Sequence, residues 1–98
     1  MNHYEEEFNK IAKDFNLVTN GFLCTLPGIH PRDCIMHFNY RNRKIYCAYH
    51  LGFSCGYICC FGLEELKPKR ARERIAELVE QYKQLKIQKK LNKMREDF

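Results

Sequence analysis

Residues 34–51 alternate apolar and polar side chains on both sides of a polar tetrapeptide, Arg41-Asn42-Arg43-Lys44. Alternation of this kind is typical of β-strands that bury one face only. A two-residue loop at Asn42-Arg43 would pair Met36 with Tyr49 and Phe38 with Cys47, all on one apolar face. A slip of one residue would mix the two faces, so the pattern favours this register. The sequence therefore predicts a β-hairpin at the centre of the fold.

Helical periodicity replaces the alternation on both sides of this hairpin region. Residues 1–18 carry one apolar stripe and predict a helix that Asn20-Gly21 ends. Within residues 22–62, Pro27-Gly28 is typical of a type II turn, and residues 57–61 predict a further short strand. The prediction is a single α+β domain over residues 1–98. It has an N-terminal helix, a three-stranded antiparallel sheet with a central hairpin, and a long basic C-terminal helix over residues 63–98.

The long helix has two apolar stripes. The first steps by four and three residues and comprises Ala71, Ile75, Leu78, Tyr82 and Leu85. The second lies nearly opposite to it and comprises Ile87, Leu91, Met94 and Phe98. A straight helix on one sheet cannot bury both stripes. Either the helix bends near Lys86, or its end projects and the second stripe serves self-association in a homodimer.

Most of the positive charge lies in this helix. The chain has 17 Lys+Arg against 12 Asp+Glu and a net charge of +5. Basic residues at the start of a helix oppose its dipole, and a bound anion such as phosphate would offset that cost. A solvated basic face is the alternative. The candidate residues for binding nucleic acid or an acidic partner are Lys67, Lys69, Arg70, Arg72, Arg74, Lys83, Lys86, Lys90 and Lys93, with His30 and Arg32 in an earlier loop.

One known family shares this order of elements. A loop with Gly28, His30 and Arg32, and a last helix that opens with Lys69-Arg70-Ala71-Arg72 followed by Ala76, resemble the double-stranded RNA-binding domain over residues 3–82. The resemblance implies RNA binding by that loop and by the start of the last helix. Pro68, the Cys-rich residues 51–62 and the length of the last helix depart from the family pattern.

The six cysteines suggest metal or disulfides at first sight. Cys34 with His37, and Cys47 with His50, have metal-ligand spacing. On a strand, however, residues three apart point to opposite faces, so neither pair can close on one ion. We expect the cysteines to act as small core residues and expect no metal or cofactor. Two alternatives stay open. The first is a zinc site that combines Cys55 with Cys59 or Cys60 and is completed by Cys24 or a histidine, and the second is a redox or disulfide role.

Catalytic and targeting patterns are missing from the sequence. It has no nucleophile elbow, no phosphate-binding Gly-rich loop and no paired carboxylates, so we expect no enzyme. Glutamates at residues 5–7 precede any apolar run, which is unlike a signal peptide, and no stretch has the length of a membrane span. We expect a cytoplasmic protein.

Two functions fit this sequence. The first is a small basic protein that binds nucleic acid or a nucleoprotein complex. The alternative is a small inhibitor or adaptor of the phage or mobile-element type, which acts by protein–protein contact with a host nucleic-acid enzyme. The second apolar stripe favours the protein partner, whereas the basic residues favour nucleic acid.

Overall fold

The computed structural model of the chain describes residues 3–29, 33–54 and 56–96, with side chains up to residue 91. The predicted α+β order, an N-terminal helix, antiparallel strands and a long C-terminal helix, is confirmed. The prediction of three strands is wrong, because five strands form one sheet in the order β1-β2-β3-β4-β7 and two more, β5 and β6, form a second sheet. The elements are α1 (His3–Asp14), β1 (Val18–Asn20), β2 (Leu23–Thr25), β3 (Met36–Asn39), β4 (Lys44–Cys47), β5 (His50–Ser54), β6 (Tyr57–Phe61), β7 (Glu64–Leu66) and α2 (Pro68–Glu96).

Helix α1 ends earlier than predicted. Asn16 adopts a left-handed conformation with φ of 54°. The backbone N–H of Asn16 donates a hydrogen bond to the carbonyl of Lys13, and the backbone N–H of Leu17 donates to the carbonyl of Ala12. This pair of bonds is a Schellman motif, in which asparagine takes the place of the usual glycine. The chain therefore leaves the helix at Asp14, and residues 18–20 are free to form β1, which the sequence did not predict.

The β3–β4 hairpin forms with a longer loop than predicted. Met36 pairs with Cys47, and Phe38 pairs with Ile45, a shift of two residues from the predicted register. The side-chain oxygen of Asn39 accepts a hydrogen bond from the N–H of Arg41, which stabilises a four-residue loop over residues 40–43. A shift of the pairing register by two residues preserves the alternation of the two faces. Met36, Phe38 and Cys47 therefore keep their predicted faces.

The second predicted strand of the hairpin divides between the two sheets. β4 ends at Cys47, and the N–H of Tyr49 donates to the carbonyl of Phe61, at the end of β6. Leu51 then pairs with Cys60 in the second sheet, so the predicted hairpin partner strand ends at Cys47 and the predicted pairing of Met36 with Tyr49 is wrong. This crossing leaves the hairpin of β5 and β6 as a separate wall beside the C-terminal helix.

Helix α2 begins after a strand rather than at residue 63. Glu64–Leu66 pair with β4 as β7, and Pro68 occupies the first helical turn, where its missing N–H costs nothing. The carbonyl of Lys67 accepts the N–H of Ala71, which starts the helix. α2 continues without interruption to Glu96.

The core lies between the five-stranded sheet and both helices. Its largest fully buried side chains include Phe8 and Ile11 from α1, Phe38 from β3, and Ile75 and Leu78 from α2. Helices α1 and α2 contact each other, and both contact β4, so they cover the same face of the sheet. Helix α2 has 29 residues, about 43 Å at 1.5 Å per residue, and follows the long axis of a molecule that measures 55 × 20 × 19 Å. Within the described ranges, no helix combines the length and apolarity needed to cross a membrane.

A candidate basic groove beside helix α2

Two arginines at the start of α2 have carboxylate partners within the chain. Arg70 lies 2.7 Å from a carboxylate oxygen of Glu73, one turn later on the same helix. Arg72 lies 2.9 Å from a carboxylate oxygen of Asp14, at the end of α1. These carboxylates supply anions near the helix start, and they stabilise the cations that the helix dipole disfavours.

Arg74 is the most enclosed of the predicted basic residues, with a side chain only 15% exposed. Its guanidinium donates to the carbonyl oxygen of Ala48 at 3.0 Å and to the carboxylate of Glu64 at 3.2 Å. Glu77 lies 3.8 Å away on the next helical turn. Arg74 therefore joins α2 to the β4–β5 connection and to β7, which is a structural position.

Lys67 and Lys69 complete the predicted cluster. Both are exposed, and no carboxylate in the described part of the chain forms an ion pair with either. The unpaired positive charge at the start of α2 therefore belongs to two lysines rather than to five basic residues.

A groove of about 1010 Å³ lies further along the same helix. One wall is α2, the second is the β5–β6 hairpin, and the floor is formed by Gly28, Ile29 and Asp33, which lie between β2 and β3. The lining residues are Gly28, Ile29, Asp33, Ser54, Tyr57, Ile58, Cys59, Tyr82, Lys86, Lys89 and Lys90. It holds three lysines against a single aspartate, and none of the lysines forms an ion pair with a described carboxylate.

The lysines continue the face that α2 buries in the core. Lys89 follows Ala71 by 18 residues, which is about five helical turns, and therefore points in nearly the same direction. Lys86 lies one turn after Tyr82. Beyond Leu85, which packs against the core, this side of the helix thus changes from apolar to basic.

Two tyrosines accompany the lysines. The ammonium of Lys89 lies 5.4 Å from the ring centroid of Tyr57, and that of Lys86 lies 5.0 Å from the ring centroid of Tyr82. Both distances are within the range of cation–π attraction. Tyr82 also fixes the floor of the groove, because its hydroxyl donates to the carbonyl oxygen of Pro27 at 2.6 Å.

The predicted turn shapes this floor. The N–H of Ile29 donates to the carbonyl of Leu26, and Gly28 has a φ of +91°, which agrees with the predicted type II turn. A Cβ atom at Gly28 would lie 2.8 Å from the hydroxyl of Tyr82. Glycine is therefore required both by the turn and by the approach of Tyr82.

Some predicted binding residues line the groove and others do not. Lys86 and Lys90 line it, and Lys83 is exposed on the same helix. His30, Arg32 and the side chain of Lys93 lie outside the described residues. Lys89 and Tyr57 also line the groove, and neither was among the binding residues predicted from the sequence. Helical periodicity could have found Lys89, because it lies in line with Ala71, but no pattern in the sequence indicated the β5–β6 hairpin as the opposite wall.

The cysteines lie mainly in or beside the core. Burial raises the pKa of the thiols of Cys24, Cys47 and Cys60 to about 12. Burial is also the main cause that raises the pKa of Cys34. No three His, Cys, Asp or Glu side chains among the described residues are placed to hold a metal ion. Cys55, which the open zinc alternative requires, lies outside the described residues.

The predicted second stripe of α2 faces solvent where it is described. Ile87 and Leu91 are each 54% exposed. The side chain of Met94, and Phe98, lie outside the described residues. Ala71, Ile75 and Leu78 of the first stripe are buried, as predicted, and Tyr82 and Leu85 pack against the core.

Comparisons with protein families, with curated proteins and with solved structures find no match for this chain.

Proposed function

We propose that this protein is a small, non-enzymatic nucleic-acid-binding protein whose phosphate-binding site is the groove lined by Lys86, Lys89 and Lys90. The observation that supports it is the continuation of the buried face of α2 into Lys86 and Lys89, which line the groove together with Lys90 and form no ion pair with a described carboxylate. Lysine binds phosphate as a point charge, and a row of lysines along a helix matches the repeated charge of a nucleic-acid backbone.

The electrostatics of the groove favour a polyanion over a small carboxylate. Three ammonium groups line one cavity, and Asp33 is the one carboxylate among the described residues that line it with them. Mutual repulsion among these cations is relieved most by a ligand that carries several negative charges. A nucleic-acid strand supplies one charge for each nucleotide, and its binding releases condensed counterions.

The test is the affinity for a fluorescein-labelled oligonucleotide, measured by fluorescence anisotropy at several salt concentrations. The double variant Lys86→Gln/Lys89→Gln removes two phosphate contacts, which should weaken binding about 25-fold at 0.1 M salt if each contact contributes about 0.7 to the salt slope. The control is Lys10→Gln/Lys13→Gln, because these lysines are exposed on α1 and the change in net charge is the same. Equal effects of the two double variants, or an affinity that does not depend on salt, would contradict the proposal.

A second candidate function is contact with a protein, either in a homodimer or as an inhibitor or adaptor of a nucleic-acid enzyme. The exposure of Ile87 and Leu91 on the side of α2 away from the core favours it. Sedimentation equilibrium of the whole chain and of Ile87→Gln/Leu91→Gln tests the dimer. A monomeric mass for both proteins would eliminate self-association through this stripe.

A further inference from the structure

We infer that the nucleic acid held in this groove is single-stranded, with one base stacked on Tyr57. This inference rests on the proposed function and specifies the ligand of the same site. The evidence is an exposed aromatic ring in the lining of the groove, with the ammonium of Lys89 5.4 Å from its centroid.

Tyr57 is placed as a stacking platform rather than as a core residue. It is the first residue of β6, at the tip of the β5–β6 hairpin, and it is 69% exposed. Lys89 approaches its ring, and no other aromatic ring among the described residues stacks on it. Most of the ring therefore remains exposed to water. Stacking of a ligand on the ring would remove this unfavourable exposure of apolar surface.

Only a single strand can use the lysines and this ring together. In a duplex the bases already stack on their neighbours, and proteins reach only their edges through the grooves. A duplex on this surface would contact the lysines through phosphates and leave Tyr57 without a base. A single strand offers unstacked bases and a charged backbone on the same short segment, and single-strand-binding proteins combine an aromatic platform with a basic channel.

The dimensions of the groove agree with this ligand. Its volume of about 1010 Å³ is near the upper limit of the range, roughly 300–1,000 Å³, of sites that enclose small molecules. Such a space accepts a few nucleotides of an extended strand. The walls, a helix and a β-hairpin, leave a concave channel, whereas proteins that bind double-stranded RNA follow its wide minor groove across the outside of the helix.

The experiment compares a fluorescein-labelled single strand, as DNA and as RNA, with the duplex of the same sequence. Tyr57→Ala should weaken single-strand binding about 5- to 150-fold, the range expected for the loss of one stacked base, and should leave duplex binding unchanged. Tyr57→Phe should retain the wild-type affinity, because the stacking face is kept. Tyr40→Ala is the matched control, since Tyr40 is 71% exposed in the β3–β4 loop, away from the groove.

The outcomes separate the two proposals. Duplex binding that equals or exceeds single-strand binding, or a Tyr57→Ala variant that binds the single strand as wild type does, would overturn the inference and leave the proposed function standing. Failure of wild-type protein to bind any of these oligonucleotides at low salt would overturn the proposed function and the inference with it.

Discussion

Replacement of Arg74 by alanine should destabilise the fold strongly, although this residue belongs to the most basic part of the sequence. Arg74 is 15% exposed, and its guanidinium donates to the carbonyl of Ala48 and to the carboxylate of Glu64. A hydrogen bond from a charged donor to a buried carbonyl contributes about 1.5–3 kcal/mol, and a half-exposed ion pair adds up to about 1 kcal/mol. The expected loss is about 2–4 kcal/mol of the free energy of unfolding.

The assay is urea denaturation followed by circular dichroism, with thermal denaturation as a second measurement. For a domain of this size the expected loss lowers Tm by about 8–32 °C, since 1 kcal/mol corresponds to roughly 4–8 °C. Arg70→Ala is the control, because the Arg70 side chain is 63% exposed and, within the described part of the chain, its one ion pair is with Glu73, an interaction of about 0.5 kcal/mol or less. Both substitutions change helix propensity equally, so their difference reports the buried contacts alone. Equal stabilities of the two variants would refute the structural assignment of Arg74.

Two further predictions concern the floor of the groove and the buried thiols. Gly28→Ala should lower the free energy of unfolding by about 1 kcal/mol more than Gly21→Ala does. Both positions have positive φ, but only at Gly28 would the new Cβ meet the hydroxyl of Tyr82 and displace its hydrogen bond to Pro27. Equal melting temperatures of the two variants would contradict this prediction. The pKa of the Cys24, Cys47 and Cys60 thiols is raised by burial from an ordinary value of 9.0 to about 12, so the folded state holds protons that the unfolded state releases. The free energy of unfolding should therefore fall as pH rises from 9 to 12, and it should fall less steeply in Cys47→Ala than in the wild type; parallel pH profiles would show that Cys47 does not contribute.

The sequence was sufficient to predict the helices and strands that bury one clearly apolar face. The periodicity of α1 and α2 and the alternation at Met36, Phe38, Ile45 and Cys47 predicted which side chains face the core, and all four strand residues are buried. The pairing register was not predictable from alternation, because a shift of two residues preserves the faces. It depended on the side-chain cap that Asn39 provides to the loop.

The short strands at the edges of the five-stranded sheet were not predictable from the sequence. β1 exposes all three of its residues, so it carries no apolar pattern. The helix predicted over residues 63–98 included Glu64–Leu66, whereas pairing with β4 places these residues in a strand. The alternation of the hairpin would place Ile35 on the face opposite Met36, yet Ile35 is fully buried, and its backbone forms hydrogen bonds with Cys24 and Ala48.

Only one wall of the candidate groove, helix α2, was predictable from the sequence. Charge counting found Lys86 and Lys90 along α2, but the partner wall depends on the chain leaving the main sheet after Cys47 and returning as β5 and β6. Tyr57 then lies opposite the lysines through tertiary structure alone. For the same reason, carboxylates distant in sequence, Asp14 and Glu64, pair with Arg72 and Arg74, which charge counting grouped with the exposed lysines.

The most direct test of this account is to locate the charges that bind nucleic acid along α2. The slope of log Kd against log salt concentration, measured with a single-stranded oligonucleotide, should decrease by about 1.4 in Lys86→Gln/Lys89→Gln, which removes two contacts. The same slope should be nearly unchanged in Lys67→Gln/Lys69→Gln, which removes two exposed lysines from the start of the same helix. A decrease confined to the variant at the helix start, with the groove variant binding as wild type does, would contradict the account.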